Sequence, residues 1–248
     1  LAIIVLECIR GRVALVHINV ASRGSTWRKM TIVAVALVCR LPVVLHLHGA
    51  RYRQFTANLP DFAARMVGWM FRRSARVVVL GESWQNFVAQ TFHLRRDAIR
   101  IISNGVPEHE EIGNDQENEQ ARLLFMGRLG RRKGIGELLD ALGSGALADF
   151  KWSAVIAGDG AVPDPDRYLD DKDLAARVHF PGWLSKKQAE AALSAANIFV
   201  LPSHDEGLSI ALLEAMSHGL AVIVTPVGAH GEVIENGKTG LLVPPGDS

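Results

Sequence analysis

The chain has 248 residues, 48% of them apolar and 21% charged, with a formal net charge of +1. That length lies where one hydrophobic core begins to divide into two, and the composition excludes a disordered chain, a collagen-like chain and a coiled coil. Two cysteines, Cys8 and Cys39, are too few for a disulfide framework or a cysteine zinc site, and read as buried small hydrophobes in a reducing compartment.

Charge is unevenly spread. Residues 1–112 hold fifteen Lys or Arg against seven Asp or Glu, whereas residues 113–248 hold twelve against nineteen. This points to two modules with different partners, or to an uneven solvated surface. Taken in order, Leu1–Leu6 is apolar but lacks a basic start and makes a poor signal peptide. Val13–Ile18, Val43–Leu47, Val77–Leu80 and Ile99–Ile102 are predicted strands. Trp27–Arg40, Asp61–Arg73 and Ser83–Thr91 are predicted helices, the last with Ser83 as N-cap. The apolar run Met30–Cys39 is too short to span a membrane. Continuous apolar strands separated by helices imply a parallel sheet covered on both faces.

Glu108–Gln120 is almost entirely polar and reads as a solvated linker. The alternation then restarts. Strands are predicted at Arg122–Met126, Ser153–Ala157, Val178–Phe180, Ile198–Leu201, Ala221–Thr225 and Gly240–Val243. Helices are predicted at Gly134–Leu142, Asp166–Ala176, Lys186–Ala196, Leu208–Ser217 and Ala229–Glu235. The expectation is an α/β protein of two doubly wound Rossmann-like domains, residues 1–112 and 113–248. Ligands would sit at the carboxyl ends of the strands, in the cleft that the domains face. The start at Leu1 and the stop in a Pro-Gly stretch point to a fragment truncated at both ends.

The most informative segment is Leu201–Gly219. A buried strand runs into a polar loop, and Glu206 and Gly207 are expected to open a helix whose free amides, from Gly207 through Leu208 and Ser209 to Ile210, favour a phosphate. Glu206 at the mouth can accept hydrogen bonds from sugar hydroxyls. Glu214, eight residues later and about two turns along, can grip a second diol such as a ribose. The plainer reading is a helix-terminal charge and a solvated glutamate. A second segment, Phe125–Ile135, places Gly127 at the end of a strand with Arg128 and Lys133 five apart. Two cations there can clamp a diphosphate, although most Arg-Lys clusters are surface loops. A third strand ends in Gly158 and Gly160, but Pro163 stands where a dinucleotide fingerprint needs its third glycine. The segment Asn236–Thr239 fails as a P-loop because Glu232 replaces the leading glycine. In the first half, His48 follows a strand beside Gly49 and can bond a ligand hydroxyl, or be a satisfied core histidine. Asn19–Lys29 reads as a small-residue loop before a basic helix start.

These motifs resemble those of glycosyltransferase family 4, retaining enzymes of the GT-B fold. The resemblance rests on Gly127-Arg-Leu with Lys133 and Gly134, Gly158-Asp-Gly160, Phe180-Pro-Gly182 and Glu206-Gly207 with Glu214-Ala-Met216. Gly219 and Asn236–Val243 extend it, and Leu45–Gly49 and Ile102–Pro107 carry it into the first half, in the manner of bacterial exopolysaccharide members. It implies a nucleotide-diphosphate sugar donor held by the second domain. Arg128 and Lys133 would hold the diphosphate, Glu206 the sugar and Glu214 the ribose. The loop Val178–Trp183 would border the base, and His48 would approach the sugar from the other domain. Gly127, Gly158, Gly160 and Gly207–Ile210 complete the donor-binding set. No metal or cofactor is implied, because cations and helix amides take that role. The implied activity is transfer of a hexosyl group to a lipid-linked or polysaccharide acceptor in cell-surface polysaccharide synthesis, in the cytoplasm and at an anionic membrane face, with no nucleic acid partner. The alternative is a non-catalytic nucleotide-sugar-binding module. Gly231 stands where the family often has proline, and the family's first strand with its glycine-rich loop and its last helices are not in the chain.

Overall fold

The computed structural model describes residues 3, 6, 7, 10–109, 120–162, 168 and 171–247. Expectations placed on Cys8, most of Leu1–Leu6, residues 110–119 of the linker with the boundary at 112–113, Pro163 and the start of the helix at Asp166 lie outside the described residues. The chain divides into two compact units. One comprises Leu1–Ser103 with Glu206–Leu208, the other Asn104–Asp205 with Ser209–Ser248.

The first unit is a four-stranded sheet in the order β1-β2-β3-β4, every pair parallel. Its strands are β1 (Val16–Val20), β2 (Val43–Leu47), β3 (Arg76–Val79) and β4 (Ile99–Ile101). Its helices are α1 (Gly24–Val38), α2 (Tyr52–Ala57), α3 (Asp61–Arg73) and α4 (Glu82–Phe92). β2 and α3 occupy the spans expected of them. β1 lies further along than Val13–Ile18, because pairing sets it: Val16 faces Val43 and Val20 faces Leu47. Asn19 is therefore a strand residue, and α1 begins at Gly24. Ser83 is not a cap; α4 starts at Glu82 behind Gly81, with no side-chain capping bond. The unpredicted α2 is held by Tyr52, fully buried, whose hydroxyl accepts from Thr26 Oγ1 at 3.2 Å. Burial pushes the Tyr52 hydroxyl pKa upward. Cys39 is half-buried rather than buried.

The second unit is a six-stranded parallel sheet in the order β10-β9-β8-β5-β6-β7. Its strands are β5 (Ala121–Met126), β6 (Trp152–Ala157), β7 (Val178–Gly182), β8 (Ile198–Leu201), β9 (Ala221–Val224) and β10 (Leu241–Leu242). Its helices are α5 (Ile135–Leu142), α6 (Lys172–Arg177), α7 (Lys186–Ala195), α8 (Ile210–Ser217) and α9 (His230–Val233). Phe125, Ile156, Phe199 and Leu201 from the central strands are at most 1% exposed, and α5 closes over them with Ile135, Leu138, Leu139 and Leu142. Ser185 and Gln188 form a reciprocal capping box at the start of α7. Strand order reverses between β5 and β8. At such a switch point the following loops diverge and leave a crevice at the carboxyl ends of the strands.

Candidate functional site

The crevice is built first from backbone. Gly127 ends β5 and donates its N–H to Ala157 O at 3.0 Å. Gly158 ends β6 and donates to Gly182 O at 2.8 Å. The three strand ends therefore descend as steps joined by hydrogen bonds. A Cβ at Gly158, where φ is +151°, would lie 1.7 Å from Gly127 O, so no side chain fits between the two loops. Gly160 lies on the same seam, in a bridge with Leu129.

The loop after β5 then folds toward the loop after β8. Arg131–Lys133 forms a 3₁₀ turn ended by Gly134 in the left-handed region, and a Cβ there would strike Pro202 O at 2.1 Å. Arg132 donates from Nη1 to Asp205 O at 2.7 Å, and His204 N–H donates to Arg132 O at 2.9 Å. His204 Nε2 also meets Glu137 Oε1 on α5 at 2.6 Å. Arg132 was not singled out from sequence. It stands in a run of three cations, and its partner lies 73 positions away.

Lys133 is 9% exposed and its side chain lies back over the glycine step. A Cβ on Gly127 would be 3.4 Å from its Cε and 3.5 Å from its Nζ. The ammonium is thus held at the carboxyl end of β5. Arg128 differs: it is exposed beside the same glycine. Glu206 is 8% exposed and follows directly on the Asp205 that Arg132 holds.

The helix beyond Glu206 starts later than expected. Ser209 is the N-cap of α8, its hydroxyl accepting from Leu212 N, and the helix begins at Ile210. Glu206, Gly207 and Leu208 therefore belong to the loop, and Leu208 is buried. The Ser209 N–H is not free, because it donates to His230 Nε2 at 3.3 Å. His230 is fully buried, and its Nδ1–H donates in turn to Thr225 O at 3.1 Å. That pair of bonds sets the tautomer and ties the start of α8 to the end of β9. Sequence reasoning passed over His230, since nothing local marks its partners, 5 and 21 positions away.

Because the helix starts at Ile210, Glu214 lies about one turn into it rather than two. It is half-buried and lines a pocket of about 190 Å³ with Met126, Gly127, Ala157, Gly158, Trp183, Leu184, Ala189 and Ala211. Ala211 and Glu214 share a helix face, as their spacing requires. Trp183, 70% exposed, stands on the rim with its indole available for stacking. Glycine steps form the pocket floor, and a carboxylate and a flat aromatic group line it. Among the described residues, no group of three or more His, Cys, Asp or Glu could hold a metal ion.

His48 lies in the first unit, exposed, just beyond β2, with its N–H donated to Val20 O. Its ring centroid is 3.9 Å from that of His46, and His46 stacks on His17 at 5.5 Å. Partial desolvation of the ring and then His17 lower the His48 pKa. Burial, followed by His48 and His17, lowers His46 to about 4.

Residues 120–248 match a family model described as glycosyl transferases group 1, and residues 6–110 match one described as glycosyltransferase family 4. The chain belongs to the group 1 glycosyl transferases. It is 27% identical over 225 residues to the glycogen synthase of Mycobacterium tuberculosis, covering 87% of this chain and 54% of that one. It is 28% identical over 213 residues to the GDP-mannose:cellobiosyl-diphosphopolyprenol alpha-mannosyltransferase of Xanthomonas campestris, covering 82% and 54%. The structure of Anabaena HepE in complex with UDP and glucose superposes with a TM-score of 0.76 at 19% identity, over 99% of this chain and 68% of that one. The fold is thus GT-B, with the two expected parallel α/β sheets. The chain spans about half the length of the curated relatives it matches.

Proposed function

We propose that the chain is part of a retaining hexosyltransferase that uses a nucleotide-diphosphate sugar and acts on a lipid-linked or polysaccharide acceptor in cell-surface polysaccharide synthesis. The observation that carries the reading is the pocket at the switch point, with Glu214 inside it, Trp183 on its rim and Lys133 folded over its glycine floor. A base stacks on Trp183, a ribose diol binds Glu214, and the diphosphate lies over Gly127 against Lys133 and Arg128. Glu206 receives sugar hydroxyls.

The chemistry follows from charge. As the glycosidic bond breaks, negative charge grows on the departing diphosphate. Fixed cations aimed there stabilise the transition state more than the ground state. The acceptor hydroxyl attacks from the face that the diphosphate leaves, and a phosphate oxygen takes its proton, so configuration is retained. Lys133 and Arg128 carry the counter-charge, and no resident metal is invoked. The site of action is the cytoplasmic side of a membrane, consistent with the relative from Xanthomonas, whose name gives a diphosphopolyprenol acceptor. No helix among the described residues is long and apolar enough to cross a membrane.

The test is a thermal-shift panel of nucleoside diphosphates and nucleotide sugars on this chain, followed by turnover of the full-length protein in chelator. One base is expected to stabilise, and Lys133→Ala is expected to abolish most donor consumption. Unchanged consumption in Lys133→Ala would overturn the phosphate clamp. Binding with no turnover in the full-length protein would favour a non-catalytic nucleotide-sugar-binding module.

A further inference from the structure

Helices α1 and α3 pack against each other on the first unit, each anchored by its inner face. On α3, Val67, Met70 and Phe71 are fully buried, and on α1, Val33 and Ala36 are. Their outer faces are apolar as well, which a solvated helix pair does not require. Trp27 and Met30 of α1 and Phe62, Met66 and Trp69 of α3 line an open groove of about 720 Å³. Their spacings of three, four and seven place each set on one stripe. Phe62 is 73% exposed, and Trp27, Met66 and Trp69 are each more than a third exposed. The surround is cationic: Arg28, Arg65 and Arg73 are exposed on these helices, and Asp61 is the one acidic residue in either.

We propose that this face docks on an anionic phospholipid bilayer. Charge complementarity selects the occupant, since exposed guanidinium groups flank the groove and meet lipid phosphates. The apolar stripe supplies the rest. Tryptophan seats its amphipathic ring at headgroup level, Phe62 enters the acyl boundary, and arginine stems run along the apolar surface with their heads at the phosphates. Two methionine-lined and tryptophan-lined stripes offer few directional hydrogen-bond partners, which suits a fluid surface rather than one shaped partner. The inference deepens the membrane contact of the proposed function by naming its surface. Vesicle binding is read without turnover, so the two readings fail separately.

The experiment is co-sedimentation of the 248-residue chain with phosphatidylglycerol-containing vesicles and with pure phosphatidylcholine vesicles. Binding to the first, its loss at high salt and weak binding to the second are expected. Arg65→Glu removes two units of favourable charge and lowers the partition coefficient about 30-fold. Phe62→Ser lowers it about 10-fold. Both residues are exposed, so far-UV circular dichroism and nucleotide-induced thermal shifts stay unchanged. Equal binding to both vesicle types, or unchanged partition in the two variants, overturns the proposal. So does a dimer in sedimentation velocity that Phe62→Ser dissociates, because the occupant is then a second copy of the chain.

Discussion

Replacing Gly158 by alanine tests whether the glycine steps are as tight as their geometry indicates. The new methyl would lie 1.7 Å from Gly127 O and 2.8 Å from its carbonyl carbon, both backbone atoms with no rotamer to yield. The steps must part. Parting them strains the Gly127–Ala157 and Gly158–Gly182 hydrogen bonds, now 3.0 and 2.8 Å. Two such bonds contribute about 1 kcal/mol each, and a non-glycine residue at φ +151° adds about 1–3 kcal/mol, so the loss is about 3–5 kcal/mol. That is a large share of the roughly 5–15 kcal/mol that keeps an ordinary domain folded. The assay is urea denaturation of Gly158→Ala beside Gly145→Ala, whose added Cβ meets nothing within 4 Å. The control is expected to be neutral, or more stable by up to about 1 kcal/mol. A Gly158→Ala loss below about 1 kcal/mol, or equal losses in the two variants, would refute the reasoning.

Glu214→Ala is expected to weaken nucleoside diphosphate binding about 10- to 100-fold, the loss of a charged hydrogen-bond acceptor, while leaving the melting temperature nearly unchanged; calorimetric titration checks the first and a thermal melt the second. His230→Phe leaves the Ser209 N–H and Thr225 O without their buried partner and is expected to cost about 2–5 kcal/mol by chemical denaturation, with His230→Gln recovering part of it. Because folding lowers the His46 pKa from 6.5 to about 4, the unfolded chain binds more protons between those values. The first unit is therefore expected to lose stability as pH falls from 6.5 toward 4. His46→Asn should flatten that slope in melting curves at pH 7 and pH 5.

What could be read in advance follows the range of the interactions. β2 and α3 were legible because each carries its own pattern: a β-branched run in one case, and in the other a 3.6-residue stripe ending in Arg72 and Arg73. β1 was displaced because a parallel partner, not its own composition, chooses its register. α2 escaped notice because it is six residues long and held by one buried tyrosine. In the site, Gly127, Lys133, Glu206 and Glu214 stood out by spacing. The start of α8 was misplaced because Glu206-Gly207 resembles a helix opening, while Ser209 does the capping. Arg132 and His230 were invisible because their partners are brought in by the sheet order.

The crowded floor of the pocket has a consequence for how such a chain can diversify. Where a single methyl collides with a carbonyl, substitution is closed, so under the proposed donor binding the preference for one base over another cannot be altered from below. It has to be adjusted around the lip, at Trp183, which is exposed, and at Leu184, Ala189 and Ala211, which are only partly buried. A library confined to those four positions should retune recognition and leave the scaffold intact.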